Sequence, residues 1–448
     1  MSTTSTTPPG HAARREARPA EMRKVAVASC VGTTIEYYDF FIYGTAAALV
    51  FPTVFFPALG STAGTVASFA TFAVAFVARP LGAVLFGHFG DRLGRKRTLV
   101  TTLLLMGAAT VAIGLLPTAA AIGVLAPIAL VVLRFLQGLA VGGEWAGANL
   151  LTAEYAPVGK RGFYAVFPQL GPAFAFALSS ATFLLSDAVL GTTDGAFLSY
   201  GWRIPFIASA LMVVVGLYIR ISIEETPAFR AESARAEQVV GTKRPLPFVE
   251  VVRHQPREIL LSAGLMSVLF GFFYMGTAYL TAYGTAPDGA ALDRQFVLTT
   301  GIVAALALGA ATLAGGVWSD RVGRRTVIIT SGVLALAWAL VLFPLLDTGT
   351  PLAFATGVVV TLAIFGLAFG PVGAYLPELF ETRFRYTGAG AGYNLGGVLG
   401  GAVPPLLAPG LTASYGSIAV GVMLALLAVL SIACTAALGG RTRMSAAA

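Results

Sequence analysis

Charged residues are scarce in this sequence. Asp, Glu, Lys and Arg make up only 11% of its 448 residues, whereas 56% are hydrophobic. Because soluble domains usually carry about 25% charged residues, this composition excludes a water-soluble globular protein. Apolar runs of about 20 residues, each long enough to cross a bilayer as a helix, recur along almost the whole chain. The sequence therefore predicts a polytopic, all-α membrane protein without a large soluble domain.

Cysteine and histidine are also rare. The two cysteines, Cys30 and Cys434, lie in apolar runs near opposite ends of the chain, and there are only three histidines. Their positions show neither a metal-ligand spacing nor a disulfide framework. The sequence also lacks a nucleophile–base constellation and a nucleotide-binding loop. We therefore expect no metal, no cofactor and no enzymatic activity, and a fused ATP-driven pump is excluded.

The basic residues mark one side of a membrane. If the N-terminus is cytoplasmic, the inside segments together with Arg220 hold 25 of the 29 Lys and Arg residues. The positive-inside rule then places both termini in the cytoplasm. The net charge of +8 is thus a topological signal and does not predict a nucleic-acid partner. The apolar runs predict twelve spans, at 25–50, 63–87, 98–117, 122–153, 163–186, 203–223, 258–283, 295–318, 326–346, 351–377, 387–408 and 414–438.

One stretch has the composition of a linker. It mixes charges with prolines and separates the predicted spans six and six. We expect the protein to be a monomer. The predicted organisation is a cytoplasmic tail (1–24), an N-terminal six-helix bundle (25–223), a cytoplasmic linker (224–257), a C-terminal six-helix bundle (258–438) and a second cytoplasmic tail (439–448).

The two halves share a loop pattern. GHFGDRLGRKR at 87–97 follows the second predicted span, and GVWSDRVGRRT at 316–326 follows the eighth. After the fourth and the tenth spans, a glutamate is followed seven residues later by an arginine. The loops after the second and fourth spans thus recur after the eighth and tenth spans, at nearly the same distance along the sequence. The chain is therefore internally duplicated. Duplicated halves are typical of transporters that hold their substrate between the halves.

These motifs resemble a known family. The repeated G-x-x-x-D-R-x-G-R-[KR] loop resembles the cytoplasmic gating motif of the major facilitator superfamily, and RFLQGLAVGGE at 134–144 is similar to its fourth-helix motif. The chain further resembles the metabolite:proton symporter branch, which includes carriers of shikimate, citrate, 2-oxoglutarate and proline or betaine. The resemblance implies twelve helices in two six-helix halves in a bacterial inner membrane. The matching segments are GTTIEYYDFFIYG (32–44), ARPLGAVLFGHFGDRLGRKR (78–97), GGEWAGA (142–148), GWRIPF (201–206) and YLPELFETRFRYTGAGAGYN (375–394).

The resemblance assigns gating to the cytoplasmic loops. Asp91 can meet the positive N-terminal end of a neighbouring helix, while the basic residues beside it stay in the cytoplasm. The alternative is that these charges only anchor the loops. The gating candidates are Asp91, Arg92, Gly94, Arg95, Asp320, Arg321, Arg324, Glu154, Arg161, Glu378 and Arg385.

Away from their ends, the predicted spans contain five charged residues, all in the first half: Glu36, Asp39, Arg79, Arg134 and Glu144. A charge at the centre of a spanning helix costs about 2.5–3.5 kcal/mol, so each is a functional candidate. We expect Arg79 to pair with Glu144 and Asp39 to be within reach of Arg134. Either pair could simply hold helices together. The candidates for proton coupling are Asp39, Glu36 and Glu144.

The second half offers polar and aromatic groups instead of charges. Tyr393 and Asn394 lie in the eleventh span, and an Asn in a span needs a partner that a pocket can supply. Tyr37 stands where the branch commonly has Trp, so we expect a changed pocket edge. The predicted substrate-binding residues are Arg134, Gln137, Tyr37, Tyr393 and Asn394.

The function that fits these features is proton-coupled symport of a small organic acid or zwitterionic metabolite by alternating access. Its partners are then the substrate, protons and the lipid bilayer. A facilitator or a drug/proton antiporter on the same fold is the first alternative, and a membrane sensor or enzyme is a remote one. A channel would be expected to repeat pore-lining charges, which this sequence does not do.

Overall fold

The computed structural model describes residues 19–93, 95–142, 161–190, 194–222, 247–287, 289–381 and 384–439, and its long elements are all α-helices. The first half contains α1 (Pro19–Leu49), α2 (Gly60–Leu93), α3 (Arg95–Leu115), α4 (Leu125–Val141), α5 (Arg161–Leu190) and α6 (Arg203–Ser222).

The second half repeats this arrangement, with two helices that pass through a wider turn. A π-helical turn at Met275–Tyr279 extends the helix that begins at Pro256 to Thr285, and another at Gly397–Ala402 extends the helix that begins at Arg385 to Tyr415. The α-helical parts of the second half are, in order, α7 (Pro256–Tyr274), α8 (Arg294–Val322), α9 (Arg324–Leu346), α10 (Pro351–Glu378), α11 (Arg385–Gly396) and α12 (Ile418–Ala437).

Length and apolar composition identify the helices that can cross a membrane. Ten helices within the described ranges meet both criteria, and α4, with 17 residues, is apolar but shorter. The helix α1 is 31 residues long and carries the two carboxylates Glu36 and Asp39. The protein is therefore all-helical and polytopic, as its composition predicts.

The predicted linker 224–257 is not irregular throughout. Residues Pro247–His254 form a short helix, with Glu250 in its first turn and Arg253 and His254 in its last. This charge order suits the helix dipole. Val251 of the linker helix is fully buried. The predicted linker therefore contains a helix that its composition did not indicate, and this helix packs against α7 and α11.

Helices α2 and α4 approach each other closely. A Cβ atom at Gly82 would lie 1.9 Å from the carbonyl oxygen of Leu139, and one at Gly142 would lie 2.1 Å from that of Arg79. Any larger residue at these positions would push the helices apart, which is why small residues are common at helix contacts in membranes. The close approach places the buried arginines of the two helices in one region.

Aromatic rings fill the contact between the halves near the middle of the helices. Phe41 of α1 packs against Phe273 of α7, with ring centroids 5.4 Å apart. Phe72 and Phe76 of α2 pack against Tyr274 of α7 at 5.3 and 4.9 Å. In this part of the chain the halves are therefore in contact rather than separated by an open cleft.

Candidate substrate and proton site

A chain of hydrogen bonds connects Asp39 to Arg134. Thr110 of α3 donates from Oγ1 to Asp39 Oδ2 at 2.8 Å and accepts from Gln137 Nε2 at 2.7 Å. Gln137 Oε1 in turn accepts from Arg134 Nη1 at 3.1 Å. The four side chains come from α1, α3 and α4 and are all buried. The carboxylate and the guanidinium are thus linked through two neutral groups rather than by the direct contact that the sequence suggested.

Arg134 lies in an aromatic cage formed by the first half. Its guanidinium carbon is 3.9 Å from the ring centroid of Tyr43, 4.3 Å from that of Phe40 and 5.0 Å from that of Phe72. The side chain is fully buried, and its Nε and Nη2 have no hydrogen-bond partner among the described residues. Cation–π contacts stabilise the charge but leave these N–H groups available to a carboxylate.

Arg79 is a second buried guanidinium in the same region. It is 3% exposed, and its guanidinium carbon lies 4.2 Å from the ring centroid of Phe40 and 4.7 Å from that of Phe76. The predicted partner Glu144 lies outside the described residues, so the Arg79–Glu144 pair stays a prediction. Glu36 is buried one turn before Asp39 on α1.

Three of the predicted substrate-binding residues lie where the halves meet. The hydroxyl groups of Tyr37 and Tyr393 are hydrogen-bonded to each other. Asn394 Nδ2 donates to the carbonyl oxygen of Gly142 at 2.9 Å. These side chains therefore hold α11 against α1 and α4, and their polar groups connect the two halves.

One end of the contact between α5 and α8, the end that the sequence predicts to face the cytoplasm, is held together by Asp320. Its carboxylate accepts from the backbone N–H groups of Gly162, at 2.9 Å, and Phe163, at 3.0 Å, in the first turn of α5. A carboxylate at a helix N-terminus is favoured by the unpaired N–H groups and by the helix dipole. The sequence predicts this geometry for Asp91, whose side chain lies outside the described ones, and Asp320 is the equivalent residue of the repeated motif. We call the Asp320 contact the inner clamp.

The other gating candidates divide between described and undescribed positions. Arg324 forms an ion pair with Glu378, which connects the start of α9 to the end of α10. Arg321 is exposed, and Arg385 begins α11. The remaining candidates lie outside the described side chains: Asp91, Arg92, Gly94, Arg95, Glu154 and Arg161.

The outer ends of α5 and α8 are held together by an ion pair that the sequence did not reveal. Arg294 Nη1 donates to Asp187 Oδ1 at 2.8 Å, and Gln295 Nε2 donates to Asp187 Oδ2 at 3.1 Å. The guanidinium also lies 4.1 Å from the ring centroid of Phe197. We call this contact the outer clamp. Both ends of the α5–α8 contact are thus closed in this structure.

Thr110 and Asp187 were missed for physical reasons. A single Thr in an apolar span usually bonds to its own helix, and the carbonyl oxygen of Met106, at 2.9 Å, is the alternative acceptor for the one hydroxyl proton that Thr110 donates to Asp39. An Asp near the end of a span is usually solvated, yet Asp187 is 2% exposed.

Within the described ranges, no group of three or more His, Cys, Asp or Glu residues could hold a metal ion.

The match to a family model extends over most of the chain. The model described as "Sugar (and other) transporter" matches residues 24–438. The chain belongs to this family, within the major facilitator superfamily. A member of the sugar (and other) transporter family is a multi-pass membrane transporter rather than an enzyme, and the duplicated halves and the α5–α8 contact fit that identity.

Similar proteins within the family are transporters by name. The chain is 46% identical over 412 residues to the inner membrane metabolite transport protein YhjE of Escherichia coli, covering 91% of this chain and 92% of that protein. It is 40% identical to the shikimate transporter of the same species, covering 87% of each chain. It is 32% identical to the proline/betaine transporter of Salmonella typhimurium, covering 87% of this chain and 77% of that one.

Solved structures show the same fold at low sequence identity. A crystal structure of a D-xylose-proton symporter superposes with a TM-score of 0.71 at 16% identity, covering 92% of this chain and 97% of that one. The xylose transporter XylE of Escherichia coli in a partially occluded, inward-open conformation gives a TM-score of 0.70 at 17% identity, covering 92% and 97%. At these identities the similarity establishes the fold alone.

Proposed function

We propose that the protein is a proton-coupled symporter that imports a small organic acid or a zwitterionic metabolite by alternating access. We place it in a bacterial inner membrane with twelve spans and both termini in the cytoplasm. The twelve spans are the ten long apolar helices together with α1 and α4. The names of the relatives support this class, because shikimate is an organic acid and proline and betaine are zwitterions. All three compounds carry one carboxylate.

The observation that carries the proposal is the hydrogen-bond chain from Asp39 to Arg134. When Asp39 is ionised, it accepts from Thr110, and Thr110 and Gln137 hold one edge of the guanidinium. Protonation of Asp39 removes the negative charge that balances Arg134 in the buried region. The guanidinium then binds a substrate carboxylate with its unused N–H groups. Proton and substrate binding thereby favour each other, as linkage requires.

The two clamps supply the conformational half of the mechanism. Alternating access requires the inner clamp to open while the outer clamp is closed, and the reverse. The inner clamp opens when α5 leaves Asp320, and the outer clamp opens when Asp187 and Arg294 separate. The closed state with both clamps formed is the intermediate through which the loaded and the empty carrier pass.

The experiment that tests the proposal uses purified protein in liposomes. A thermal-shift screen of organic acids, betaines and sugars first selects a transported compound, since ligands of the native state raise its stability. Uptake is then measured with an imposed pH gradient. We expect Asp39→Asn to abolish accumulation against a concentration gradient but to retain part of the substrate exchange, because exchange needs no net release of the proton.

The control and the contrary result are defined by the same assay. Asp347→Asn alters an exposed carboxylate that accepts from Ser417 at 2.6 Å in the outer loops, and it should leave accumulation unchanged. If Asp39→Asn still accumulates substrate, Asp39 is not the coupling residue, and Glu36 and then Glu144 become the candidates. If the uptake rate and the accumulation of the wild-type protein do not depend on the pH gradient, the protein is a facilitator.

The membrane potential separates the two substrate classes. A monoanion that enters with one proton moves no net charge. A zwitterion that enters with one proton moves one charge, which contributes about 2.3 kcal/mol per 100 mV. Uptake that responds to the potential as well as to the pH gradient therefore indicates a zwitterion.

A further inference from the structure

The centre of the protein contains four buried hydrogen-bond donors without a partner among the described residues. They are Nε of Arg79, Nε and Nη2 of Arg134, and the O–H of Tyr274. The Tyr274 oxygen lies next to the Arg79 guanidinium, which can only donate to it, so the hydroxyl proton remains available to an acceptor. Buried polar groups are nearly always hydrogen-bonded, so several unpartnered donors in one region indicate a missing acceptor. A carboxylate has two oxygens that together accept about four hydrogen bonds.

The four donors belong to one region of the molecule. The ring of Phe40 contacts both guanidinium groups, with Arg79 at 4.2 Å and Arg134 at 4.3 Å from its centroid. The ring of Tyr274 lies 5.3 Å from Phe72 and 4.9 Å from Phe76, which are the rings that also contact Arg134 and Arg79. Tyr274 is within electrostatic range of both arginines.

The charges of this region also favour an anion. Arg79 and Arg134 are near enough to repel each other, and both are at least 97% buried. The buried carboxylates Glu36 and Asp39 of α1 balance the two arginines while both are ionised. Once Asp39 is protonated, one positive charge is left unbalanced in an apolar environment, and a bound anion removes that cost. The rings around them form an apolar wall that excludes water and strengthens the attraction.

The donors come from both halves of the transporter. Arg79 and Arg134 belong to the first half, and Tyr274 belongs to α7 of the second half. A substrate that drives the halves together must contact both of them. Arg134 alone does not satisfy this condition, because its aromatic cage is formed by first-half residues.

We propose that Arg79, Arg134 and Tyr274 form one binding site for the single carboxylate of the substrate, with Tyr274 as the contact from the second half. This inference rests on the proposed function and extends it: it adds Arg79 and Tyr274 to the site and restricts the substrate to compounds with a carboxylate. Closure of the halves around the anion brings the Tyr274 hydroxyl to the carboxylate that the two guanidinium groups hold.

Equilibrium binding of matched compounds tests the site. The probes are shikimate with its methyl ester, proline with prolinamide, and glycine betaine with choline, and each pair differs at the carboxylate. Binding to the purified protein is measured by calorimetry and by thermal shift. We expect the wild-type protein to prefer at least one acid over its partner by about tenfold or more, as hydrogen bonds to a charged group imply.

Two substitutions in the site should remove that preference. Tyr274→Phe deletes only the hydroxyl group and should weaken binding of the acid by about tenfold. It should have little effect on binding of the matched compound that lacks the carboxylate. Arg79→Gln should weaken the acid further, and Arg79→Lys should not restore it, because lysine lacks the planar fork of donors. A merely structural contribution would instead lower binding of both compounds of a pair together with thermal stability.

The matched control is Tyr279→Phe in the same helix. Its hydroxyl group bonds with Thr412 at 2.9 Å, and this substitution should leave the preference intact. The inference is overturned if the wild-type protein prefers none of the three acids, or if Tyr274→Phe and Arg79→Gln keep the wild-type preference. Because binding at equilibrium requires no proton gradient, continued accumulation by Asp39→Asn together with an intact carboxylate preference would overturn the proton assignment alone.

Discussion

The two halves of the transporter share a backbone plan but differ at their centres. In the first half, Asp39, Arg79 and Arg134 are buried among the helices. At the corresponding place in the second half, α7 and α10 present the stacked rings of Phe273 and Phe365, with centroids 4.6 Å apart. The duplicated loops, in contrast, retain the same motif. The loop motif is therefore shared by the two halves, whereas their centres differ.

Electrostatic cost explains why the charges buried near the middle of the described helices lie in the first half. Each buried charge must be balanced by opposite charges or hydrogen bonds from its neighbours. A group of buried side chains can balance one another in this way only if they stay in fixed positions. Charges confined to the first half remain in place when the halves rock against each other. The second half then contributes rings and hydroxyl groups, which can approach or leave without exposing a charge to lipid.

The largest effect in the charged half should come from Arg134→Ala. The substitution removes the guanidinium that the Asp39 chain holds, so we expect binding of carboxylate substrates to be lost in calorimetry. Arg257→Ala serves as the control, since Arg257 only donates to the carbonyl oxygen of Ala437 at 3.0 Å and is exposed. Retained binding in Arg134→Ala would show that the charged centre does not hold the substrate.

The next effect compares the two clamps. We expect Asp320→Asn to favour the inward-open state and Asp187→Asn to favour the outward-open state, each by several-fold, because a charge-assisted contact contributes about 1.5–3 kcal/mol and Asn keeps only part of it. Transport should slow more than substrate binding weakens, since the clamps act on the conformational step.

Single cysteines at the α5–α8 contact report which end has opened. In a background with Cys30 and Cys434 replaced by serine, Val166→Cys faces Gly316 near the inner clamp, and Ser180→Cys faces Gly301 near the outer clamp. Asp187→Asn should speed thiol labelling of the outer cysteine only, and Asp320→Asn that of the inner cysteine only. Equal labelling of both sites in either variant would contradict separate clamps.

A smaller effect is expected at the middle of the hydrogen-bond chain. Thr110→Val removes the hydroxyl that connects Asp39 to Gln137 at nearly constant volume, and Thr110→Ser keeps it. We expect the valine variant to lower the number of protons carried per substrate and to reduce accumulation a few-fold, while the serine variant stays close to wild type. Equal accumulation by both variants would show that Asp39 acts on Arg134 without Thr110.

The sequence predicted the helices and one clamp better than the centre. Apolar run length determines where a helix can span, so α9, predicted at 326–346, is observed at Arg324–Leu346. The motif repeat singled out Asp320 as a gating candidate but did not reveal its partner, the N-terminus of α5, which lies 158 residues away in the sequence. Asp187 belongs to no repeated motif, and its partner Arg294 lies 107 residues away on another helix, so only three-dimensional packing reveals the pair. Tyr274 is one of three tyrosines in the seventh span, and the sequence does not distinguish it from Tyr279 and Tyr283.

The smallest effect should come from the contact where the two centres meet. The hydroxyl groups of Tyr37 and Tyr393 share one hydrogen bond, and both residues are nearly inaccessible. A neutral hydrogen bond contributes about 0.5–1.5 kcal/mol, so Tyr393→Phe should shift the balance between closed and open halves by about two- to tenfold. Labelling of the inner and outer α5–α8 cysteines measures this shift.

A double-mutant cycle separates this bond from other effects of the two tyrosines. If the hydroxyl groups act only on each other, Tyr37→Phe and Tyr393→Phe should each have the same effect, and the double variant should be no worse than either single variant. Additive effects would mean that each hydroxyl group has a further partner in the open state. A substrate oxygen would be such a partner, and the two tyrosines would then belong to the binding site as well as to the contact between the halves.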